Sequence, residues 1–206
     1  MLGRIVGILG TCLFATGILI FSIFHSTAVH YTFGQSPSPS PSASEKKVEI
    51  DYVLPYPGRV LPDNLFWSFK VMRDKVWLLV TTNPLKKAEI SLLLADKRLA
   101  SAQTLFEEDK IELAVSTLTK AEKYLEKAFI YEQKARAEGV QTGDFLTKLA
   151  TASLKHQETM REIASLAPGD VEAVINRTAV YAERVYRDTK NLLGSMGRDC
   201  PENPFN

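Results

Sequence analysis

Histidine is the side chain best suited to acid–base chemistry near neutral pH, and the sequence places one in the region predicted to fold. His156 lies on the apolar stripe of a predicted helix, whereas His25 and His30 lie beside an apolar segment near the N-terminus. A lone histidine on such a stripe is more often a hydrogen-bonded core residue than a metal ligand. We therefore expect a structural role for His156, with metal binding and pH sensing as the alternatives.

Two short clusters of charged residues could instead bind an anionic ligand. They are Arg73-Asp74 and Asp96-Lys97-Arg98. Guanidinium groups recognise carboxylates and phosphates through paired hydrogen bonds. Because the two helices that carry these clusters should be neighbours, an ion pair between Arg73 and Asp96 is the simpler expectation. A pair between Asp74 and Arg98 is its rival.

The sequence contains no spacing typical of a catalytic centre. It lacks the metalloprotease pattern HExxH, paired CxxC cysteines, a glycine-rich phosphate loop and the GxSxG of hydrolases. A nucleophile, a base and a group that orients the base therefore cannot be assembled from motifs. We predict a protein that is not an enzyme, with no catalytic, cofactor-binding or metal-ligating residue.

The N-terminal quarter of the chain predicts a membrane anchor and a linker. Residues 5–24 carry no charge, and about 20 apolar residues suffice to cross a bilayer. Arg4 precedes them, which predicts that residues 1–4 are cytoplasmic and that the chain beyond the anchor is outside. Small residues up to Ala28 leave a cleaved signal peptide as the alternative. Residues 25–51 include alternating Ser and Pro, typical of an extended linker.

Charge and cysteine content narrow the range of partners. The net charge is +1, and only Arg4 is charged before Glu45, which leaves 24 basic and 24 acidic residues in the rest of the chain. This balance gives no overall attraction to nucleic acid or to an anionic surface.

Cys12 lies in the apolar segment, so Cys200 would be the only thiol outside. Unpaired thiols in oxidising compartments tend to pair between chains, which suggests a homodimer through Cys200, with an unmodified thiol as the alternative.

Apolar periodicity predicts a bundle of about five helices built on one hairpin. Helices over residues 84–109 and 110–138 both alternate large apolar residues with alanine at steps of three and four. Asn83-Pro84 marks the start of the first of these helices, and Gly139 the end of the second. Alanine allows a facing helix to approach closely, so the two helices should pair antiparallel. The seams are Leu85, Ala88, Leu92, Ala95, Leu99, Ala102 and Phe106, then Ile111, Ala114, Leu118, Ala121, Leu125, Ala128 and Ala135.

Three further helices complete the predicted domain over residues 52–193. The fourth helix spans about 144–166, and its predicted stripe is Leu146, Leu149, Ser153, His156, Met160 and Ile163. The fifth begins at Asp170 and ends at Gly194, and its predicted stripe is Ile175, Thr178, Ala182, Val185, Thr189 and Leu192. Residues 194–206 are expected to form a flexible tail. The first helix begins at Asp63 or Asn64 and ends before Asn83. Its expected core stripe is Leu65, Phe69, Met72, Val76 and Leu79.

Aromatic residues lie outside that expected stripe. Trp67 and Trp77 make the first helix more apolar than one buried face requires. We call residues 52–63, before the first helix, the proline-rich arm. The hairpin and this arm would cover the first helix on two sides. Alternatively, an exposed apolar patch would remain on the helix for a partner or the membrane. Tyr52 and Tyr56 in the arm are expected to pack across the bundle, and an aromatic docking surface is the alternative.

Several blocks of the folded region form a signature. They are YVLPYPG at 52–58, LPD at 61–63, RD at 73–74, PLKKAE at 84–89 and LADKRL at 94–99. Together they resemble the bacterial domain-of-unknown-function family numbered fifty-six sixty-seven, over about residues 52–193. The resemblance implies an exported or membrane-anchored helical domain and supplies no reaction, ligand or catalytic residue. The sequence departs from the family at Leu65, where proline is frequent, and at Asp109, where glycine is common.

These expectations describe a membrane-anchored, extracytoplasmic helical module that binds or scaffolds components of the bacterial envelope. The chain would be held in the cell membrane by residues 5–24 and would meet an envelope protein as its partner. The alternative is an extracytoplasmic sensor or chaperone-like domain that binds unfolded chains or small ligands. No cofactor and no nucleic acid are expected.

Overall fold

Five α-helices make up the part of the chain that the computed structural model describes, residues 49–167 and 169–205. They are α1 (Trp67–Val80), α2 (Pro84–Glu107), α3 (Ile111–Ala137), α4 (Gly143–Leu166) and α5 (Gly169–Ser195). The described residues contain no strand, which confirms the prediction of an all-α domain of about five helices. Within them, no helix is both long enough and apolar enough to cross a bilayer. The predicted anchor, residues 5–24, lies outside the described residues.

The hairpin of α2 and α3 is the centre of the domain. These two helices make the most extensive contact of any pair. The alanines of both seams are completely buried, as the alternation of large residues with alanine requires of two helices in close approach: Ala88, Ala95, Ala102, Ala114, Ala121, Ala128 and Ala135. Asn83 caps α2 by accepting a hydrogen bond from the Lys86 amide at 2.9 Å, and Pro84 occupies its first turn.

The turn between α2 and α3 places Asp109 in the left-handed region, with φ of 59°. This conformation favours glycine, which is the residue that the family resemblance leads one to expect here. The turn is nevertheless closed by two backbone hydrogen bonds. The Lys110 amide donates to the Leu105 carbonyl at 2.9 Å and the Asp109 amide to the Phe106 carbonyl at 3.0 Å, as in a Schellman motif.

Helices α4 and α5 pack on each other and close the other side of the hairpin. The predicted stripe of α4 is buried along its whole length: Leu146, Leu149, Ser153, His156, Met160 and Ile163. On α5 the predicted stripe is buried as far as Thr189, but its last position belongs to Leu193 rather than Leu192.

The C-terminal residues after α5 pack against the bundle, which differs from the flexible tail expected at 194–206. Cys200 and Phe205 contact the core and are partly buried. The Tyr186 hydroxyl donates to the Pro201 carbonyl at 2.7 Å. The Arg198 guanidinium donates to Asp144 at 2.7 Å. The absence of helical periodicity indicates irregular backbone here, and it does not by itself indicate a lack of contacts.

Helix α1 turns toward the bundle the side opposite to the one predicted to be buried. It begins at Trp67, later than expected, and contacts only α2 among the helices of the described region. The stripe predicted to be its core is exposed to solvent: Leu65, Phe69, Met72, Val76 and Leu79. The side turned toward α2 carries Trp67, Trp77 and the buried carboxylate of Asp74. Both sides of α1 are apolar, so periodicity alone could not decide which one the bundle covers.

Candidate interaction site

The most conspicuous surface of the described domain is the outward face of α1. We use this name for seven large apolar side chains that lie exposed on or just before the helix: Leu65, Phe66, Phe69, Met72, Val76, Leu79 and Val80. Phe69 is 64% exposed and Leu79 is 78% exposed. Single exposed apolar residues are common on proteins, but a contiguous group of this kind usually marks an interaction surface.

A buried ion pair fixes the rotation of α1. Asp74 is almost completely buried, and its carboxylate lies 3.5 Å from the Arg98 guanidinium on α2. Arg73 donates to the other Asp74 oxygen at 2.8 Å from the solvent side. Turning the predicted stripe inward would expose Asp74 and leave the buried Arg98 without its carboxylate, and breaking a buried pair in this way typically costs about 3–5 kcal/mol.

Aromatic rings complete the surroundings of Arg98. The guanidinium lies over the Tyr124 ring of α3 at 4.2 Å and over the Trp67 ring of α1 at 5.9 Å. The negative faces of both rings attract a cation. Arg98 therefore joins α1, α2 and α3. We call the group of Arg98, Asp74 and Arg73 the Arg98 clasp.

Lys70 attaches the proline-rich arm to the same side of α1. Its ammonium donates to the Pro57 carbonyl at 2.8 Å and to the Val60 carbonyl at 3.0 Å, and it lies 4.9 Å from the centre of the Trp67 ring. Burial lowers the pKa of Lys70 to about 8. Gly58, between the two carbonyls, has φ of +89°, a conformation that only glycine adopts easily.

A second polar cluster lies inside the bundle around His156. The imidazole Nδ1 lies 2.6 Å from Glu122 of α3, and Nε2 lies 3.1 Å from Asp96 of α2. The Tyr52 hydroxyl of the arm donates to the other Asp96 oxygen at 2.6 Å. These four residues, the His156 cluster, connect the arm with α2, α3 and α4. The cluster is closed to solvent around His156, which is fully buried, so its imidazole is not placed to meet a substrate.

The geometry of the His156 cluster favours the charged imidazole. Both ring nitrogens face carboxylate oxygens, and only the imidazolium can donate to both. Burial opposes this charge, but Glu122 and Asp96 outweigh it and raise the pKa of His156 to about 9. Burial and the adjacent Asp96 also raise the pKa of Tyr52, so its hydroxyl remains a donor. The second oxygen of Glu122 has no hydrogen-bond partner.

The charged residues of α1 and α2 form a different ion pair from the one that the sequence favoured. Arg73 does not pair with Asp96, because Asp96 points toward His156 and Tyr52 on the other side of α2. The rival pair, Asp74 with Arg98, is the one present. Charge alone could not distinguish the two pairings, which depend on the direction in which each side chain leaves α2.

The remaining predicted site residues lie in different environments. Trp67 and Trp77 are half-buried under α1 beside the Arg98 clasp. Tyr56 is 70% exposed, so it does not pack across the bundle as expected, whereas Tyr52 does contact the core.

Sequence reasoning missed Glu122, which lies on the apolar spacing between Leu118 and Leu125. That spacing is a signal for a buried position, but a glutamate there is ordinarily interpreted as exposed.

An open cleft lies between the α3–α4 turn and the C-terminal residues. Its volume is about 440 Å³, and Arg136 and Arg198 are among its lining residues. Their charges already have partners, since Arg136 donates to Glu132 at 3.3 Å and Arg198 to Asp144. Thr142 also donates to Glu132, at 2.6 Å. The polar groups of this cleft therefore hold the turn and the C-terminal residues in place.

No group of three or more His, Cys, Asp or Glu residues with the arrangement of a metal site occurs in the described ranges. Cys200 lies beside Tyr186, and burial raises the pKa of its thiol. A raised pKa lowers the thiolate fraction and so slows disulfide formation. The homodimer through Cys200 remains a prediction.

Comparison with known proteins gives a family and no individual relative. Neither the curated proteins nor the solved structures contain a match to the chain. One family model, described as "Domain of unknown function (DUF5667)", matches residues 59–170. This stretch includes the outward face of α1, the Arg98 clasp and three of the four residues of the His156 cluster. Because the match spans more than half of the 206 residues, the chain belongs to this family of domains of unknown function.

Proposed function

We propose that the chain is a membrane-anchored, extracytoplasmic binding or scaffolding module of the bacterial envelope, and that its binding surface is the outward face of α1. The observation that carries the proposal is the exposure of seven large apolar side chains, five of them on α1 and two just before it. Residues 5–24 would anchor the chain, and the domain would meet its partner outside the cytoplasm.

The energetics of burial support an interaction role for this face. Burying one large apolar side chain typically contributes about 1.5–3 kcal/mol. The fold forgoes that contribution along most of α1, while it buries a carboxylate and a guanidinium on the other side of the helix. The Arg98 clasp holds the helix in this rotation. A binding partner would recover the apolar contribution.

A non-catalytic role is part of the proposal. The most strongly perturbed ionisable groups of the described domain are engaged in holding elements together. His156 is enclosed by carboxylates, and Lys70 holds the proline-rich arm. His156 has no exposed surface, and the ammonium of Lys70 is engaged by two backbone carbonyls, so their positions support binding over catalysis.

The test is site-specific photo-crosslinking in the native host. A diazirine amino acid replaces Phe69 in the full-length chain, and a matched control carries it at Glu183 on α5, an exposed position on a helix that does not contact α1. We expect one dominant envelope component to be captured at position 69 and not at position 183. Leu79→Asp, combined with the probe at 69, should weaken the capture, because it introduces a charge into the face at an exposed site.

The other outcomes separate the competing functions. Many unrelated proteins captured at position 69 would support the chaperone-like alternative. Equal and weak labelling at both positions would overturn the proposal, because the face would then have no partner. Thermal melts of both probe-carrying chains establish that the domain is intact.

A further inference from the structure

We propose that the partner of the outward face of α1 is the lipid surface of the membrane, with anionic headgroups beside its two basic edges. This inference rests on the proposed function, since it names the partner of the same face. It depends on three properties of the chain: the local charge around α1, the shape of the face, and the length of chain before the domain.

The charge around α1 is strongly one-sided, although the whole chain is nearly neutral. Residues 64–88 contain five basic residues and a single acidic one. The acidic residue is Asp74, which is buried under α1 in the Arg98 clasp. Just outside this range, Asp63 pairs with Lys110, and Glu89 pairs with Lys86, which is one of the five basic residues. The exposed surface of α1 therefore presents cations without an exposed carboxylate from the same helix.

The cations lie where a membrane-surface helix needs them. At about 100° per residue, Arg73 and Lys75 fall on opposite edges of the outward face. Lys75 is exposed, and the side chain of Arg73 is 47% exposed. Arg73 shares the single carboxylate of Asp74 with Arg98, so the Arg98 clasp keeps one positive charge that no carboxylate balances. Long basic side chains at such edges reach headgroup phosphates while the apolar residues between them enter the acyl region.

The shape of the face fits a fluid surface better than a protein. Both tryptophans of α1 are turned toward α2, and the outward residues form a convex ridge of Phe, Met, Leu and Val. The groove beside α1 has a volume of only about 20 Å³, roughly enough for one water. Protein interfaces usually centre on a large side chain seated in a pocket. Acyl chains require no pocket, because they adapt to the ridge.

The length of the chain brings the face within reach of a bilayer. The predicted anchor ends at residue 24, and the described residues begin at residue 49. In an extended conformation of about 3 Å per residue, the intervening residues span up to about 70 Å. Tethering also raises the effective concentration of the face at the surface, so a modest apolar area is enough for occupancy.

The test uses the full-length chain reconstituted in vesicles. Cys12→Ser and Cys200→Ser remove the native thiols, and Phe69→Cys carries an environment-sensitive fluorophore; the control carries it at Glu183→Cys. The vesicles contain phosphatidylcholine alone or with added phosphatidylglycerol, and quenchers are placed on the acyl chains. We expect the label at 69 to shift to the blue and lose fluorescence to the quenchers, more strongly with phosphatidylglycerol, while the label at 183 stays in water.

Two variants separate the contributions of charge and apolar surface. Lys75→Glu should reduce the dependence on phosphatidylglycerol, and Leu79→Glu should reduce quenching in both kinds of vesicle. Both positions are exposed, so circular dichroism melts should match those of the parent chain. Variants that melt early would be replaced by Lys75→Gln and Leu79→Ser, for which the same directions are expected.

The outcomes also distinguish this inference from the function on which it rests. Water-like emission at position 69 in both kinds of vesicle overturns the lipid assignment. If photo-crosslinking at position 69 then captures one envelope protein, the proposed function stands with a protein as the partner. If it captures nothing, both proposals fail together.

Discussion

The imidazole of His156 lies between two carboxylates in a site that solvent does not reach. Glu122 and Asp96 raise its pKa to about 9, above the ordinary value of 6.5. A group whose pKa is raised on folding stabilises the folded state fully below its unfolded pKa, and this contribution is lost as the pH rises through the folded pKa. Between about pH 6.5 and 9, the free energy of unfolding should therefore fall by an amount on the order of 3 kcal/mol.

The direct measurement of this state is an NMR titration of the histidine side chains. We expect the ring signals of His156 to remain those of an imidazolium through pH 8. The titration has to observe the ring itself, because overall stability against pH mixes two opposite effects. The lowered pKa of Lys70 makes the folded state more stable as the pH rises from about 8 to 10.5. A neutral His156 at pH 7 would contradict the assignment.

Two tyrosines of the arm provide a matched pair of substitutions. Tyr52→Phe removes the donor to Asp96 and leaves a buried carboxylate oxygen without its partner, which typically costs about 1–3 kcal/mol. Tyr56→Phe removes a hydroxyl from a side chain that is 70% exposed and should change stability little. Urea unfolding midpoints of the two variants compare them. Equal midpoints would mean that the arm is not held through Asp96.

The stability of the helical bundle depends on the close approach of α2 and α3. Ala95 and Ala121 have no exposed surface, so Ala95→Leu or Ala121→Leu forces extra volume into the seam. Overpacking of this kind costs about 1–3 kcal/mol. Ala137→Leu is the control, since Ala137 is exposed at the end of α3 and receives the same added atoms. Thermal melts in which all three variants resemble the parent chain would exclude a close alanine seam.

The whole molecule should be anchored with its domain outside the cytoplasm. The predicted anchor, residues 5–24, follows Arg4, so protease added to intact spheroplasts should digest the domain while leaving cytoplasmic markers intact. Rupturing the spheroplasts beforehand provides the control for protease activity. A protected domain, or a soluble one that lacks residues 1–28, would count against the anchored arrangement.

Disulfide-linked dimers through Cys200 are expected in only part of the population. The thiol is partly buried beside Tyr186, and burial raises its pKa, so oxidation should be slow. Gels run without reductant, on protein prepared with a thiol-blocking agent, should show a band at twice the monomer mass. This band should be absent from Cys200→Ser. Complete labelling of monomeric Cys200 would rule out the dimer.

The sequence by itself determined the helices and the core of the hairpin. Seam positions such as Leu92 and Ala95 repeat at helical spacing, and Asn83-Pro84 and Gly139 mark helix boundaries. These signals are local, because a helix forms from contacts between residues a few positions apart. The same reasoning located the buried stripe of α4, including His156.

Only the tertiary structure decided which side of α1 faces outward and which charges pair. Both sides of α1 are apolar, so the deciding interaction is the long-range pair of Asp74 with Arg98. Glu122 is likewise buried because His156 of another helix meets it. The near-neutral charge of the chain concealed the basic surface of α1, since folding buries Asp74 and leaves Lys75 exposed. Each of these outcomes depends on residues far apart in sequence, where periodicity carries no information.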